Sequence, residues 1–123
     1  MRHLLELAAL EAGAAILRVA AAGHGVMIKP DLSPVTDADM QAEAVILRHL
    51  AQSFAEVPVV AEEEIAAGRM PHVTANRFFL VDALDGTKEF INGKADYTVN
   101  IALIEDGVPV AGVVYAPAYR KLY

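Results

Sequence analysis

The chain contains no cysteine in 123 residues. That absence excludes disulfides and thiolate metal sites, so any metal must be held by oxygen or imidazole ligands, and hard cations such as magnesium suit that donor set. Basic residues are also scarce. Ten lysines and arginines against sixteen acids give a formal charge of −6, which argues against the basic face needed to clamp a nucleic-acid backbone. An acidic protein still binds a phosphate when a cation sits between them. Long apolar runs are missing as well: no stretch approaches the ~20 residues of a membrane span. The opening MRHLLELAALEAGAAILRVAAAG has a basic residue and many alanines, as a signal peptide does, but Glu6 and Glu11 interrupt it. A cytoplasmic location is expected, with peripheral attachment at the inner face of the cell membrane as its outer limit. What is present is apolar: 55% of residues, enough for one domain with a genuine core.

Leu7, Leu10, Ala14 and Leu17 recur at intervals of three and four, so the first segment reads as an amphipathic helix ending near Gly23 and Gly25, with that stripe as core. A short extended piece, VMIK, leads into the turn-rich PDLSPVTDADM. A second helix follows, with Met40, Ala44, Leu47 and Ala51 on one face, Thr36 as its cap and Asp39 as capping-box partner. Val57 to Ala61 is a short β-branched run that stops at Glu62, Glu63 and Glu64. RFFLVDAL is a second strand, and the connection IAAGRMPHVTAN between the two reads as mobile surface because Gly68 and Pro71 interrupt it. In YTVNIALIEDGVPVAGVVYAP, Asp106-Gly107 separates two β-rich runs and signals a hairpin.

Two strands therefore end in acids, one at Glu62 and the other at Asp82 and Asp85. If these strands are neighbours, the carboxylates gather at one sheet edge, where like charges repel and raise each other's pKa unless a cation intervenes. Magnesium accepts oxygens at about 2.0–2.1 Å and normally keeps several waters. Glu62, Asp82 and Asp85 could thus share two ions with a phosphate and a nucleophilic water. Gly86 lets backbone approach a ligand closely, and a helix opening at Thr87 would turn N–H groups toward an anion. Asp39 and Thr87 could orient the attacking water.

The spacing of Asp82-Ala83-Leu84-Asp85-Gly86 lacks the alternating acids of an EF-hand. Phosphatases that form an aspartyl-phosphate space their two acids by one residue, whereas two intervene here, which argues against a covalent intermediate. Taken singly, Asp39 reads as a helix cap, Glu62 to Glu64 as a solvated loop, and Lys88 with Glu89 as an ordinary exposed pair. Asp82 resists such a reading, because it follows FFLV and would be expensive to bury unpaired. His3, His24, His49 and His72 have no partners at metal-ligand spacing and read as surface or helix residues.

VDALDGTKEF resembles the Asp-Pro-(Leu/Ile)-Asp-Gly-Thr signature of the magnesium-dependent, lithium-sensitive sugar phosphatases, the superfamily of inositol monophosphatase and fructose-1,6-bisphosphatase. Lys88-Glu89-Phe90 points to the branch of 3'(2'),5'-bisphosphate nucleotidases of the CysQ type. SPVTDAD, VPVVAEEE and YTVNIALIEDGVPVAGVVYAP extend the match along almost the whole chain. The resemblance implies the N-terminal half of a layered αβαβα fold, an α+β arrangement with two helices against a mainly antiparallel sheet. It implies Glu62, Asp82 and Asp85 as metal ligands with the carbonyl of Leu84, for two or three Mg²⁺ ions. Glu62 and Leu84 to Thr87, Asp85 and Gly86 included, would contact the substrate phosphate, and Asp39 with Thr87 would activate the water. The implied reaction is hydrolysis of adenosine 3',5'-bisphosphate to AMP and phosphate in sulfur metabolism.

Ala83 stands where the family usually has proline, which is expected to loosen the turn without removing a ligand. Ala61 stands where serine or glycine often precedes the acid pair. Tyr123 falls near the family's midpoint, and the Trp-Asp-x-Ala-Ala-Gly motif with its further metal ligand is absent. Weak or no turnover is therefore expected of these 123 residues alone, with pairing to a C-terminal half or to another copy as the way to complete the site. Two rivals stay open: an inositol or sugar phosphatase, and a noncatalytic remnant that binds metal or a partner. All readings of the site require Glu62 to lie close to Asp82 and Asp85.

Overall fold

A computed structural model describes residues 1–22, 26–28, 34–69 and 76–123. Helix α1 spans Arg2–Ala22, and strands β1 (Val26–Ile28) and β2 (Pro34–Thr36) form a small antiparallel pair. Helix α2 (Asp37–Ser53) follows directly, then β3 (Val59–Ala61), the short helix α3 (Glu62–Ala66), β4 (Arg77–Asp85) and the short helix α4 (Thr87–Ile91). β5 (Thr98–Glu105), β6 (Val108–Ala116), a 3₁₀ turn at Pro117–Tyr119 and β7 (Lys121–Leu122) complete the order. The main sheet runs β3-β4-β5-β6-β7, with β3 parallel to β4 and all other pairs antiparallel. The mainly antiparallel α+β arrangement expected from sequence is thus present.

Local chemistry sets several boundaries. Thr36 caps α2 through a complete capping box with Asp39, which satisfies N–H groups that a helix end otherwise leaves without partners. Asp106 and Gly107 both take positive φ, 52° and 78°, and form the two-residue turn between β5 and β6, whose twist suits a hairpin. The end of α1 near Gly23 and Gly25, the last residue of VMIK and half of the connection expected to be mobile (70–75) lie outside the described residues. The Glu62 to Glu64 run is not a loop: it is the first turn of α3.

Both helices bury faces other than those expected. On α1, Leu7, Leu10 and Leu17 are 43%, 40% and 37% exposed and Ala14 is also exposed. The buried residues are Leu5, Ala8, Ala9, Ala12, Gly13, Ala15, Ile16 and Val19. The reason is proximity, since α1 packs against α2 on one side and against β5 and β6 on another, and such close packing favours the alanines and Gly13 that lie between Leu5, Ile16 and Val19. On α2 the buried stripe is Ala38, Asp39, Ala42, Glu43, Ile46 and Leu50, whereas Met40, Ala44 and Ala51 are exposed and Leu47 is half-buried. Two carboxylates on the inner face made the apolar periodicity point to the wrong side.

The helices cover one sheet face, built from Phe79, Val81, Ala83, Val99, Ile101, Leu103, Val113 and Tyr115. The other face carries Leu80, Asp82, Asn100, Ala102 and Val114 and is open, lining a groove of about 610 Å³ together with Tyr123. Gly13 fits α1 to the covered face: a Cβ there would sit 2.3 Å from the ring of Tyr115. Alanine at 13 would gain about 1 kcal/mol of helix propensity, but overpacking costs about 1–3 kcal/mol. Gly13→Ala is therefore expected to lower stability by about 1 kcal/mol in urea unfolding, the balance of those two effects. A stabilised variant would show that the ring moves aside freely.

Candidate active site

The acid cluster follows from strand register. Parallel pairing sets Val59 beside Phe79, Val60 beside Leu80 and Ala61 beside Val81, so the next residues along, Glu62 and Asp82, emerge side by side. Asp85 needs a further device. Three residues along a regular strand would put it on the opposite face from Asp82. On β5, however, Asn100 and Thr98, the partners of Asp82 and Asp85, are only two residues apart, so β4 carries one extra residue as a bulge. The bulge reverses the alternation and leaves Ala83 and Leu84 both buried, with Asp85 exposed. Ala83 and Leu84 have no register partner on β5. Alanine for proline at 83 therefore changes no β4–β5 register pair.

Asp82 senses both neighbouring carboxyls. Burial, then the charges of Glu62 and Asp85, and a hydrogen bond with Glu62 push the Asp82 carboxyl up to about 7. A carboxyl–carboxyl hydrogen bond requires a proton on one of the two groups. Among the described residues no three acidic or imidazole side chains are gathered as a cation cage; Glu62 and Asp82 form a pair, with Asp85 in electrostatic range. The donor set is all oxygen, is half-buried at Asp82 and is relieved by positive charge, which suits a hard divalent cation.

A second cluster adjoins it. The Thr87 hydroxyl lies 2.9 Å from Asp39 Oδ1 and 3.3 Å from the Leu84 carbonyl. Having one proton, it donates to the nearer carboxylate. Asp39 Oδ2 accepts the main-chain N–H of Thr36 at 2.9 Å and its hydroxyl at 2.6 Å. Asp39 is only 3% exposed, and its two oxygens serve different partners: one caps α2, the other holds Thr87. The cap and the contact with Thr87 thus coexist in one side chain.

Gly86 joins the clusters at the start of α4 with φ of 97°. A Cβ there would lie 2.7 Å from the Asp96 carbonyl oxygen, so only glycine lets the chain turn between Asp85 and Thr87. Beside this turn a cleft of about 520 Å³ is lined by Asp85, Glu89, Asp96 and Tyr119 among others, with Tyr119 donating to Asp96 at 3.0 Å. Lys88 is exposed. His3 is exposed on α1, and His49 bonds Glu11 at 2.7 Å between the helices; His24 and His72 lie outside the described residues. One buried acid escaped the sequence reading: Glu43, 4% exposed. Its signal was its place four residues after Asp39 and three before Ile46, inside the buried stripe.

The Asp82 shift has a defined sign for stability in the absence of metal. The folded protein holds a proton that an unfolded carboxyl of ordinary pKa 3.8 would release. Stability from this group is present at acid pH, below the unfolded value, and is lost as pH rises toward about 7. With chelator present, Asp82→Asn is therefore expected to be more stable than wild type at pH 8 and close to it at pH 4. Equal denaturation midpoints at both pH values would mean that the acids are not coupled.

The family model of the inositol monophosphatase family matches residues 1–123. The 3'(2'),5'-bisphosphate nucleotidase CysQ of Salmonella typhimurium is 50% identical over 95 residues, 77% of this chain and 38% of the relative. Among solved structures, the extragenic suppressor protein suhB from Bartonella henselae superposes with a TM-score of 0.83 at 30% identity, covering 98% of this chain and 46% of that one. CysQ from Bacteroides thetaiotaomicron gives 0.76 at 36% identity, covering 99% and 44%. The chain thus spans less than half the length of these relatives, and its α+β sheet is that of the N-terminal part of their fold. On the match of its whole length, the chain belongs to the inositol monophosphatase family.

Proposed function

We propose that the chain is the N-terminal half of a magnesium-dependent phosphatase that hydrolyses adenosine 3',5'-bisphosphate to AMP and phosphate. The observation that carries this reading is the Glu62–Asp82 carboxyl pair with Asp85 in electrostatic range. Repulsion there is relieved by divalent cations, for which Glu62, Asp82, Asp85 and the Leu84 carbonyl are the ligands. Bound magnesium would neutralise the phosphate and polarise the ester bond. The substrate assignment draws on the likeness to nucleotidases named CysQ.

The chain's own residues then divide the work. Thr87 donates to Asp39 at 2.9 Å, so its lone pairs remain free to accept an O–H of the attacking water. The proton of that water passes to Thr87 while the Thr87 proton passes to Asp39, a general-base relay. Backbone from Leu84 to Thr87 meets the phosphate, presented by a turn at Gly86 that a Cβ, 2.7 Å from the Asp96 carbonyl oxygen, would not allow. The open apolar face, where Leu80 is 48% and Val114 37% exposed, is assigned to a C-terminal half of the kind these relatives contain. No helix among the described residues is long and apolar enough to cross a membrane.

Calorimetric titration with Mg²⁺ tests the cation reading. Uptake by wild type is expected, with affinity at least about tenfold weaker in Asp82→Asn or Asp85→Asn; no uptake would favour a noncatalytic remnant. Phosphate release from adenosine 3',5'-bisphosphate and from inositol phosphates, with and without lithium, separates the substrate classes once a C-terminal half is supplied. In that assay Thr87→Ala should lower kcat by about 10²–10⁴ while leaving Mg²⁺ affinity unchanged. An unaltered kcat would remove Thr87 from the relay.

A further inference from the structure

Glu43 has no part in the relay or the ligand set, yet it is 4% exposed on the inner face of α2. Its Oε1 accepts the main-chain N–H of Glu63 at 2.8 Å, and the main-chain N–H of Glu64 faces the same carboxylate closely enough to favour its charged form. These N–H groups belong to the first turn of α3, where a helix supplies no internal partners. The residue before α3 is Ala61, which makes no side-chain cap bond. Glu43 thus does from a neighbouring helix what a serine or aspartate would do locally. Holding an acid there is costly: burial is the first cause that pushes its carboxyl up to about 7. If filling space were its only role, an apolar side chain would avoid that penalty.

What Glu43 fixes is the start of α3, and Glu62 is the first residue of α3. We infer that Glu43 is a positioning residue for the acid cluster: by tying the first turn of α3 to α2, it holds the Glu62 carboxylate beside Asp82 in the arrangement that takes up a divalent cation. The inference rests on the cation-binding reading above. Glu43 acts through the backbone of Glu63 and Glu64 and does not touch the ion.

Mn²⁺ uptake by the 123-residue chain, read by electron paramagnetic resonance, tests this, with circular dichroism as the check on folding. Glu43→Gln keeps an oxygen that accepts both N–H groups and is expected to bind within threefold of wild type. Glu43→Ala removes the acceptor, and Glu43→Asp withdraws it by one methylene. Each should weaken Mn²⁺ binding about 10- to 100-fold, the range seen when outer partners of metal ligands are lost. Should the alanine variant fail to fold, the aspartate variant carries the comparison. Uptake by wild type that neither variant weakens would overturn the inference alone, as would a glutamine variant as weak as the alanine one. No uptake by wild type would overturn the cation reading itself, and the inference with it.

Discussion

Repulsion among three carboxylates at the ends of β3 and β4 is the constraint around which this molecule is organised. It is imposed by backbone pairing: once Ala61 lies beside Val81, Glu62 and Asp82 have to meet. The chain could have avoided the encounter by a shift in register, but a one-residue slip would turn Phe79 and Val81 out of the core. Apolar burial beneath α1 and α2 therefore enforces an unfavourable contact at the edge. Such local conflict between stability and arrangement is expected where a protein prepares a site for a charged ligand.

Helix α2 organises the surroundings of that edge. Asp39 and Glu43 lie one helical turn apart on its inner face, and each reaches a different short helix: Asp39 bonds Thr87 of α4, and Glu43 bonds the backbone of Glu63 in α3. Both segments that follow the acid-bearing strands are therefore held by one turn of one helix. The capping box at Thr36 fixes the same turn from the other side. A rigid element so placed positions side chains more closely than loops would.

Features decided within a few residues were legible in the sequence. Asp106-Gly107 specified its turn, Thr36 with Asp39 specified the start of α2, and the acids at Glu62, Asp82 and Asp85 stood out because apolar β-runs preceded them. Features decided by packing were not. The leucines at 7, 10 and 17 have a regular helical spacing, yet the inner side of α1 went to alanines and Gly13 because the sheet and α2 come close. Glu43 was hidden because apolar periodicity discounts charged residues inside a buried stripe. The β4 bulge was invisible because it exists only relative to β5; the spacing of Asp82 and Asp85 alone would have put them on opposite faces.

That bulge has a further consequence for how the segment can vary. Side chains between Asp82 and Asp85 point away from the acids, and Ala83 and Leu84 pair with nothing across the ladder, so their identities are open to exchange among residues that fill the same space. Their number makes the bulge itself: with one residue fewer the aspartates would stand two apart as in a regular strand and still share a face, so what the extra residue adds is a second buried apolar side chain between them.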